Sequence, residues 1–267
     1  MIAGLPMYAL PELAMATADW WLGLRRHFQQ VGLADIPTAI TKSQDLYEHW
    51  LKPDLLFTQT CGYPLTHDLA RRVQLVATPC YSAPGCDGFA YRSMVVVREA
   101  AGYAGLEELR GKKVAFNSQD SQSGYNALRH LIAPLAQEGH FFAASLETGG
   151  HRHSLAAVRN GAADVAAIDC VSYALISAVA PQEVAGIQVL CRSEPAPNLP
   201  YITAQTTTAD VIARLRDGLR AAIDDPHLAT TRSDLLIADM ADVPLSAYDQ
   251  ILTMERSAMV AGYKGLD

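Results

Sequence analysis

The sequence lacks the features that usually mark a membrane-spanning or a nucleic-acid-binding chain. No apolar run approaches the roughly 20 residues that a helix needs to cross a bilayer. Lysine is scarce, with acidic residues outnumbering basic ones 28 to 21, and the formal net charge is −7. A chain with this balance has no basic stripe to neutralise the phosphates of a nucleic acid. We therefore expect neither membrane insertion nor nucleic-acid binding.

Cysteine is also scarce, and its spacing excludes the common zinc motifs. The chain has five cysteines, which form no CxxC pattern: Cys61, Cys80, Cys86, Cys170 and Cys191. Cys80 and Cys86 are close enough to pair across the Pro84-Gly85 turn, but the odd count leaves at least one thiol outside any disulfide. We interpret Cys170 and Cys191 as small buried residues. No metal or other cofactor is expected.

The first residues, Met-Ile-Ala-Gly-Leu-Pro, have the pattern of a strand. They contain neither a charged n-region nor an apolar h-region, which are the parts of a secretion signal. The sequence as given is therefore expected to carry no such signal.

Strand and helix patterns alternate over the first part of the chain. Strands are predicted at 2–5, 38–40, 54–58 and 75–78, and helices at 10–31, 43–51 (capped by Ser43) and 64–71. The length allows one or two domains. Repeated βα units with short connections predict parallel sheets covered by helices.

Two segments interrupt this alternation and predict two domains. Residues 89–98 form a long β-rich run with no helix before it, and the Pro-rich residues 194–200 precede a strand at 201–205. We interpret both as crossings, which gives a discontinuous first lobe (1–92 plus 198–267) and an inserted second lobe (93–197). The predicted fold is two-lobed α/β, with two doubly wound sheets joined by a two-strand hinge. The tail is predicted to be helical, with caps at Thr208 and Ser246.

The most informative stretch is Asn-Ser-Gln-Asp-Ser-Gln-Ser-Gly-Tyr-Asn at 117–126. It follows the apolar strand 113–117 and precedes a helical pattern at 128–135. The start of a helix offers backbone N–H groups and the positive end of the helix dipole. Ser121 or Ser123 would cap this helix, and the remaining donors suit a phosphate-like anion. The alternative is an ordinary serine cap with no ligand.

Two further side chains lie at the same predicted edge of the second sheet. His151 follows the strand at 141–146 and could donate a hydrogen bond to an anion, or it could be a solvent-exposed loop histidine. With His153 it suggests a metal site, for which no third ligand has suitable spacing. Asp169 ends the strand 165–168 and could accept hydrogen bonds from a ligand, cap the next helix, or do both.

The first lobe contributes candidates at the ends of its own strands. Tyr8 follows the first strand, and Gln59 begins a polar, glycine-containing segment after the third. Cys61 in that segment could act as a nucleophile, but no base is adjacent to it in sequence. Tyr91 lies on the first crossing, where its hydroxyl could reach a ligand or be buried as a core tyrosine.

Four blocks of this sequence, in order, resemble the periplasmic-binding-protein family of phosphate, phosphite and phosphonate ABC transporters. Asp-Ser-Gln-Ser-Gly-Tyr at 120–125 resembles the family's phosphonate loop, and Ala-Tyr-Arg-Ser-Met-Val-Val-Val at 90–97 resembles its hinge strand. Gly-His-Arg-His-Ser at 150–154, followed by Asn-Gly-Ala-Ala-Asp at 160–164, is similar to its histidine-containing loop and helix. Asn-Leu-Pro-Tyr at 198–201 is similar to the return crossing.

The resemblance implies a type II periplasmic-binding-protein fold that closes on a small oxyanion. By analogy, the phosphonate oxygens would be held by Ser121, Gln122, Ser123, Gly124, Tyr91 and His151. Asp169 would be a candidate contact for a polar group of the organic substituent. Separately, their positions after the strands of the first lobe predict that Tyr8 and Gln59 contact the ligand from that lobe. The partner implied is an ABC transporter permease, and no catalytic residue is expected.

Two other functions fit the same scaffold. One is a pyrimidine-forming or hydrolytic enzyme that uses His151, Cys61 or Asp169. The other is a cytoplasmic domain that senses an anion. The location is predicted to be periplasmic if the chain acts as the resembling family does, and cytoplasmic if the sequence as given is complete.

Overall fold

The computed structural model describes residues 1–266, and these form two compact units. Unit 1 comprises Met1–Ser82, Asp87–Phe89 and Pro197–Ala247. Unit 2 comprises Ala83–Cys86, Ala90–Ala196 and the chain from Tyr248 onward. Each unit has its own five-stranded sheet, so the predicted two-lobed α/β fold is confirmed. Within residues 1–266, no helix combines the length and the apolar character needed to cross a membrane.

The elements are numbered in chain order. The strands are β1 (Ile2–Gly4), β2 (Leu55–Gln59), β3 (Val73–Tyr81), β4 (Ala90–Tyr91), β5 (Ser93–Arg98), β6 (Lys113–Phe116), β7 (Ala144–Glu147), β8 (Val165–Asp169), β9 (Ile187–Arg192), β10 (Ala196–Pro197), β11 (Tyr201–Ala204) and β12 (Ile237–Ala241). The α-helices are α1 (Ala14–Gln30), α2 (Leu46–Trp50), α3 (Gly62–Thr66), α4 (Ala127–Ile132), α5 (His151–Arg159), α6 (Cys170–Val179), α7 (Ala209–Asp224), α8 (Ala229–Asp234) and α9 (Asp249–Val260). A π-helical turn, Gln122–Asn126, leads directly into α4.

The sheet of unit 1 has the strand order β1-β2-β11-β3-β12. β1 and β2 are parallel, whereas β11 is antiparallel to both β2 and β3. All five residues of β2 are buried. The apolar face of α1 packs on this core, where the rings of Trp21 and Phe57 stack with centroids 6.3 Å apart. The helix predicted at 10–31 is therefore present, and its aromatic side chains are structural.

The sheet of unit 2 has the strand order β7-β6-β8-β5-β9. β6 is parallel to β7 and β8, and β5 is antiparallel to β8 and β9. Strand β8 is buried along its whole length. β4 and β10 pair separately as a two-stranded sheet. The carboxyl ends of β6, β7 and β8 lie at one edge, because parallel strands end on the same side.

The prediction of parallel sheets was wrong in one respect, because both sheets are mixed. Each contains a strand that enters directly from a crossing segment, β5 in unit 2 and β11 in unit 1. A βα pattern fixes the direction of strands joined through helices. A strand that arrives without a preceding helix has no such constraint, and here it runs antiparallel to its neighbours.

Three local predictions were also wrong. Residues 38–40 form no strand, and Thr41 beyond them donates a single backbone hydrogen bond to Ala3. The cap of α2 is Asp45, whose side chain accepts from the Glu48 N–H, while the Ser43 hydroxyl donates to the Asp45 carbonyl. Ser246 lies inside a 3₁₀ turn before α9 and does not cap it. Thr208 does cap α7, as predicted.

The C-terminal segment differs most from the prediction. Residues 198–267 were assigned to the first lobe, with a helical tail from Thr208, but this tail also contains β12, and from Tyr248 the chain belongs to unit 2. The reason is an apolar face: Ile251, Met254 and Ala258 of α9 are fully buried. Ala258, Tyr263 and Leu266 belong to the same apolar cluster as the strands of unit 2. The assignment of the last residues to lobe 1 was therefore wrong.

Candidate functional site

The segment predicted to bind an anion forms the start of a helix in unit 2. Strand β6 ends at Phe116, and the π-helical turn begins at Gln122 after an extended Ser121. The Ser121 hydroxyl oxygen accepts a hydrogen bond from the Gly124 N–H at 3.0 Å, and its carbonyl accepts from the Asn126 N–H. Of the two serines proposed as the cap, Ser121 is the one that caps.

Ser123 is held by contacts on both its side chain and its backbone. Its hydroxyl lies 2.9 Å from Nε2 of His151, the first residue of α5. Its carbonyl accepts a hydrogen bond of 2.8 Å from the Ser93 hydroxyl. The residue is only 3% exposed. The structure therefore brings together Ser123 and His151, which the sequence placed at the ends of two different strands.

The imidazole of His151 is neutral at physiological pH. Partial burial of the ring lowers its pKa to about 4. Burial disfavours the charged form of a histidine, and no carboxylate contributes to the shift to restore it. His151 is therefore not a loop histidine in solvent: it is the first residue of α5, it is partly buried, and its ring contacts Ser123.

Gly124 is required by a close contact with the loop after β6. A Cβ atom built on Gly124 would lie 1.9 Å from the Asn117 side-chain oxygen and 3.3 Å from the His151 ring. The Asn117 carbonyl in turn accepts a hydrogen bond from the Gly149 N–H. The loops that follow β6 and β7 are thus tied together beside the helix start.

Gln122 is in this loop, but its side chain is directed towards the C-terminal helix. Its amide nitrogen lies 3.1 Å from the Met254 sulfur, and its amide oxygen accepts from Asn126 Nδ2 at 2.8 Å. The residue is 1% exposed. The side chain of Gln122 therefore supports the loop from the side of α9, and its predicted contact with a ligand stays a prediction.

Asp169 caps the helix that follows it, which was the structural alternative for this residue. One carboxylate oxygen accepts hydrogen bonds from the N–H groups of Val171 at 2.7 Å and Ser172 at 3.0 Å. The residue is 1% exposed and caps α6. Its predicted contact with a ligand stays a prediction.

The two histidines of α5 do not converge on a metal position. His151 Nε2 contacts Ser123, whereas His153 Nδ1 lies 3.1 Å from the Thr148 carbonyl oxygen. In the part of the chain that the structure describes, no group of three or more His, Cys, Asp or Glu side chains could hold a metal ion.

Tyr91 lies on β4 in unit 2 and is 2% exposed. This burial agrees with the alternative interpretation, in which Tyr91 is part of the core. Its role as a ligand contact stays a prediction.

Tyr8 and Gln59 lie together in unit 1, where they line one small cavity of about 30 Å³. Gln59 donates hydrogen bonds of 2.9 Å to the Tyr81 hydroxyl and to the Leu199 carbonyl. The rings of Tyr8 and Tyr81 meet edge to face with centroids 5.2 Å apart. Tyr201 also lines the cavity, and burial raises the pKa of its hydroxyl to about 12. Tyr8 and Gln59, the two residues predicted in this lobe, thus belong to one polar cluster that is lined by aromatic side chains.

Sequence reasoning missed three residues of these clusters: Ser93, Asn117 and Tyr81. Ser93 lies two residues after Tyr91, so strand alternation could have placed both side chains on the same face. Tyr81 ends β3, and the prediction stopped that strand three residues too early. The contact between Asn117 and Gly124 had no signal in the sequence, because it depends on the path of the loop.

Known proteins that are similar in sequence or fold indicate the family of this chain. The model of a family described as the periplasmic substrate-binding protein of phosphonate ABC transporters matches residues 52–240. Among curated proteins, none matches the sequence.

Three solved structures share the fold. A binding protein component of an ABC phosphonate transporter from Pseudomonas aeruginosa is 16% identical, with a TM-score of 0.76 over 98% of this chain and 87% of that one. PhnD1 from Prochlorococcus marinus, in complex with methylphosphonate, is 12% identical, with a TM-score of 0.74 over 96% and 97%. XAC2383 from Xanthomonas citri, bound to ATP, is 15% identical, with a TM-score of 0.71 over 98% and 97%.

At these identities the solved structures show the fold alone, whereas the family model covers well over half of the chain. The expected resemblance is confirmed, and the enzyme and sensor alternatives gain no support. The chain belongs to the family of periplasmic substrate-binding proteins of phosphonate ABC transporters.

Proposed function

We propose that this protein binds a small phosphonate- or phosphate-like oxyanion and presents it to an ABC transporter permease. The family is periplasmic, and we propose that this chain acts there as a binding protein and not as an enzyme. The observation that carries the proposal is the contact of 2.9 Å between the buried Ser123 hydroxyl and the partly buried His151 ring at the start of a helix.

The helix start supplies donors without a formal positive charge. The first N–H groups of any helix have no acceptor within it, and the Ser123 N–H is one of these. Together with the Ser123 hydroxyl it forms a pair of donors on one residue. Hydrogen bonds from N–H and O–H groups to an ionised oxygen are shorter and stronger than those between neutral groups. In a buried position they gain further because water does not compete.

The neutral His151 ring sets the direction of the serine hydroxyl. When Nε2 carries the hydrogen, it donates to the Ser123 oxygen, and the serine hydrogen is then available to the anion. When Nε2 lacks the hydrogen, the serine must donate to the ring. An oxyanion therefore selects the first tautomer. A tetrahedral anion also has several oxygens, which suits donors converging from a helix start and a side chain.

The other residues of the predicted site have narrower proposed roles. Ser121 shapes the loop through its cap, and Gly124 allows the close packing beside Asn117. Tyr8, Gln59, Tyr91 and Asp169 stay predictions as contacts with the ligand.

Replacing Ser123 by alanine should weaken anion binding by more than tenfold. The substitution removes a hydroxyl donor to a charged oxygen, and such a bond contributes about 1.5–3 kcal/mol. The measurement is isothermal titration of both proteins with methylphosphonate, and also with phosphate and phosphite, after a thermal-shift screen of the same anions.

The matched control is Ser177→Ala, which removes a serine hydroxyl on α6 that donates within its own helix to the Tyr173 carbonyl. This variant should bind as the wild type does. Equal affinity in the Ser123 variant and the wild type would contradict the site. Equal losses in both serine variants would also contradict it, because they would indicate a general effect on folding.

A further inference from the structure

Two cysteine side chains of unit 2 lie in contact although they are far apart in sequence. The sulfur atoms of Cys86 and Cys170 are 3.5 Å apart. No disulfide joins any of the five cysteines in the described chain. The sequence suggested a different pairing, of Cys86 with Cys80. Cys80 lies on β3 of unit 1, where burial raises the pKa of its thiol.

The local backbone is arranged to bring Cys86 to Cys170. Residues 83–86 form a tight turn, closed by a hydrogen bond of 2.9 Å from the Cys86 N–H to the Ala83 carbonyl. Gly85 in this turn has a φ of +111°, and a Cβ there would lie 3.1 Å from the Cys170 Cβ and 3.0 Å from the Met94 methyl. A side chain at position 85 would therefore push the turn away from Cys170.

Cys170 is fixed from its own side. It is the first residue of α6, directly after the capping residue Asp169, and its N–H donates to the Arg92 carbonyl at 3.1 Å. It is fully buried, whereas Cys86 is partly exposed. The Cys86 thiol is thus accessible to a reagent from solution, whereas the Cys170 thiol is buried beside it.

We propose that Cys86 and Cys170 form a disulfide under oxidising conditions. A disulfide needs a sulfur–sulfur distance of about 2.05 Å, so the present contact requires one of the side chains to rotate slightly. The partly exposed Cys86 has room to do so. The proposal does not depend on anion binding.

The reaction balances with an external disulfide, such as oxidised glutathione or a disulfide oxidoreductase, as the oxidant. The Cys86 thiolate attacks the external disulfide, forms a mixed disulfide and releases one thiol. The Cys170 thiolate then attacks the Cys86 sulfur and releases the second thiol. The two cysteines lose two electrons, the external disulfide gains them, and the two cysteine protons end on the two released thiols.

The consequence is a covalent link between the turn at 83–86 and the start of α6. Such a link lowers the entropy of the unfolded chain, and the effect grows with the length of the closed loop. Disulfides persist in oxidising compartments, among them the bacterial periplasm. Since the family is periplasmic, the protein would be expected to carry this link where it functions.

The test is to incubate the fully reduced protein with oxidised glutathione, alkylate the remaining thiols and map the product by mass spectrometry. Chymotryptic cleavage after Tyr81 separates Cys80 from Cys86. The expected result is one crosslinked peptide pair containing Cys86 and Cys170, and a midpoint of thermal unfolding several degrees above that of the reduced protein.

The matched variants are Cys80→Ser, which should still form the crosslink, and Cys86→Ser, which should not. Mapping of the wild-type protein does not depend on how either variant folds. A glutathione adduct on Cys86 with no closure, a link from Cys86 to Cys80, or five alkylated cysteines after oxidation would each overturn the proposal.

Discussion

At the scale of single residues, the proposed site handles a negative charge without a salt bridge. Two arginines of unit 2 already have partners: Arg152 contacts Glu183 through hydrogen bonds of 2.7 Å, and Arg129 contacts the Asn126 side chain and Glu255. In the proposed site Ser123 supplies oriented donors in their place, and the neutral His151 ring fixes the direction of the serine hydroxyl. Donors fixed before the ligand arrives need little reorganisation on binding, which favours affinity.

The lowered pKa of the partly buried His151 predicts how stability changes with pH. The pKa of His151 is about 4 in the folded protein against 6.5 for an unperturbed histidine. Between these values the unfolded chain binds more protons, so the free energy of unfolding must fall as the pH is lowered from about 7 towards 4. The contribution of this group between about pH 7.5 and pH 5 is on the order of 2 kcal/mol.

Urea unfolding at these two pH values measures that change. In His151→Gln the loss of stability on acidification should be smaller by this amount, because glutamine does not titrate. His153→Gln, on the exposed face of the same helix, is the matched control and should behave as the wild type. The same pH dependence in all three proteins would show that the folded protein does not keep the His151 ring neutral.

At the scale of elements, the loop that is proposed to bind the anion depends on the C-terminal helix. Asn126, at the end of the π-helical turn, donates one hydrogen bond to the Gln122 side chain and another of 3.0 Å to the Ile251 carbonyl of α9. Gln122 contacts Met254 on the same helix. Helix α9 therefore supports the rear of the loop that holds Ser123 at its front.

Asn126→Ala should lower both stability and anion affinity. The substitution leaves a buried carbonyl and a buried amide without their donor, at a cost of about 1–3 kcal/mol of unfolding free energy for each such group. Urea unfolding and titration with methylphosphonate measure the two effects. Arg256→Ala, on the exposed face of α9, should change neither. A stability loss with unchanged affinity would contradict the link between α9 and the site.

Helices and strands with a strong local pattern could be predicted from sequence, and elements defined by distant partners could not. The aromatic face of α1, the crossing strand around β5 and the loop at 117–126 all have local signals. β12 does not, because its exposed Ala238 and Asp239 break the apolar alternation and it forms only by pairing with β3. The position of α9 likewise depends on packing, since an apolar helix face does not indicate in sequence which sheet it will cover.

The same distinction applies to the candidate site. Ser123 and His151 were placed by a general rule, that ligands bind at the carboxyl ends of strands in α/β sheets. The directions of their neighbours were not predictable in this way. Gln122 and Asp169 have ligand-like chemistry, but the structure uses the first for packing and the second as a cap.

At the scale of the whole molecule, the net charge of −7 works against anion capture. Long-range repulsion slows the approach of an anion at low ionic strength, and salt screens this repulsion. Under the proposed function, recognition would therefore have to come from short-range donors such as those of Ser123. This also separates the protein from nucleic-acid-binding chains, whose affinity falls steeply as salt is added.

The most direct test is a calorimetric titration of the wild-type protein with methylphosphonate. The proposed site predicts saturable binding of one anion per chain, with a Kd in the micromolar range or tighter, that does not weaken when the salt concentration is raised to physiological values. The absence of saturable binding for methylphosphonate, phosphate and phosphite alike would contradict the assignment of this protein as an oxyanion-binding member of its family.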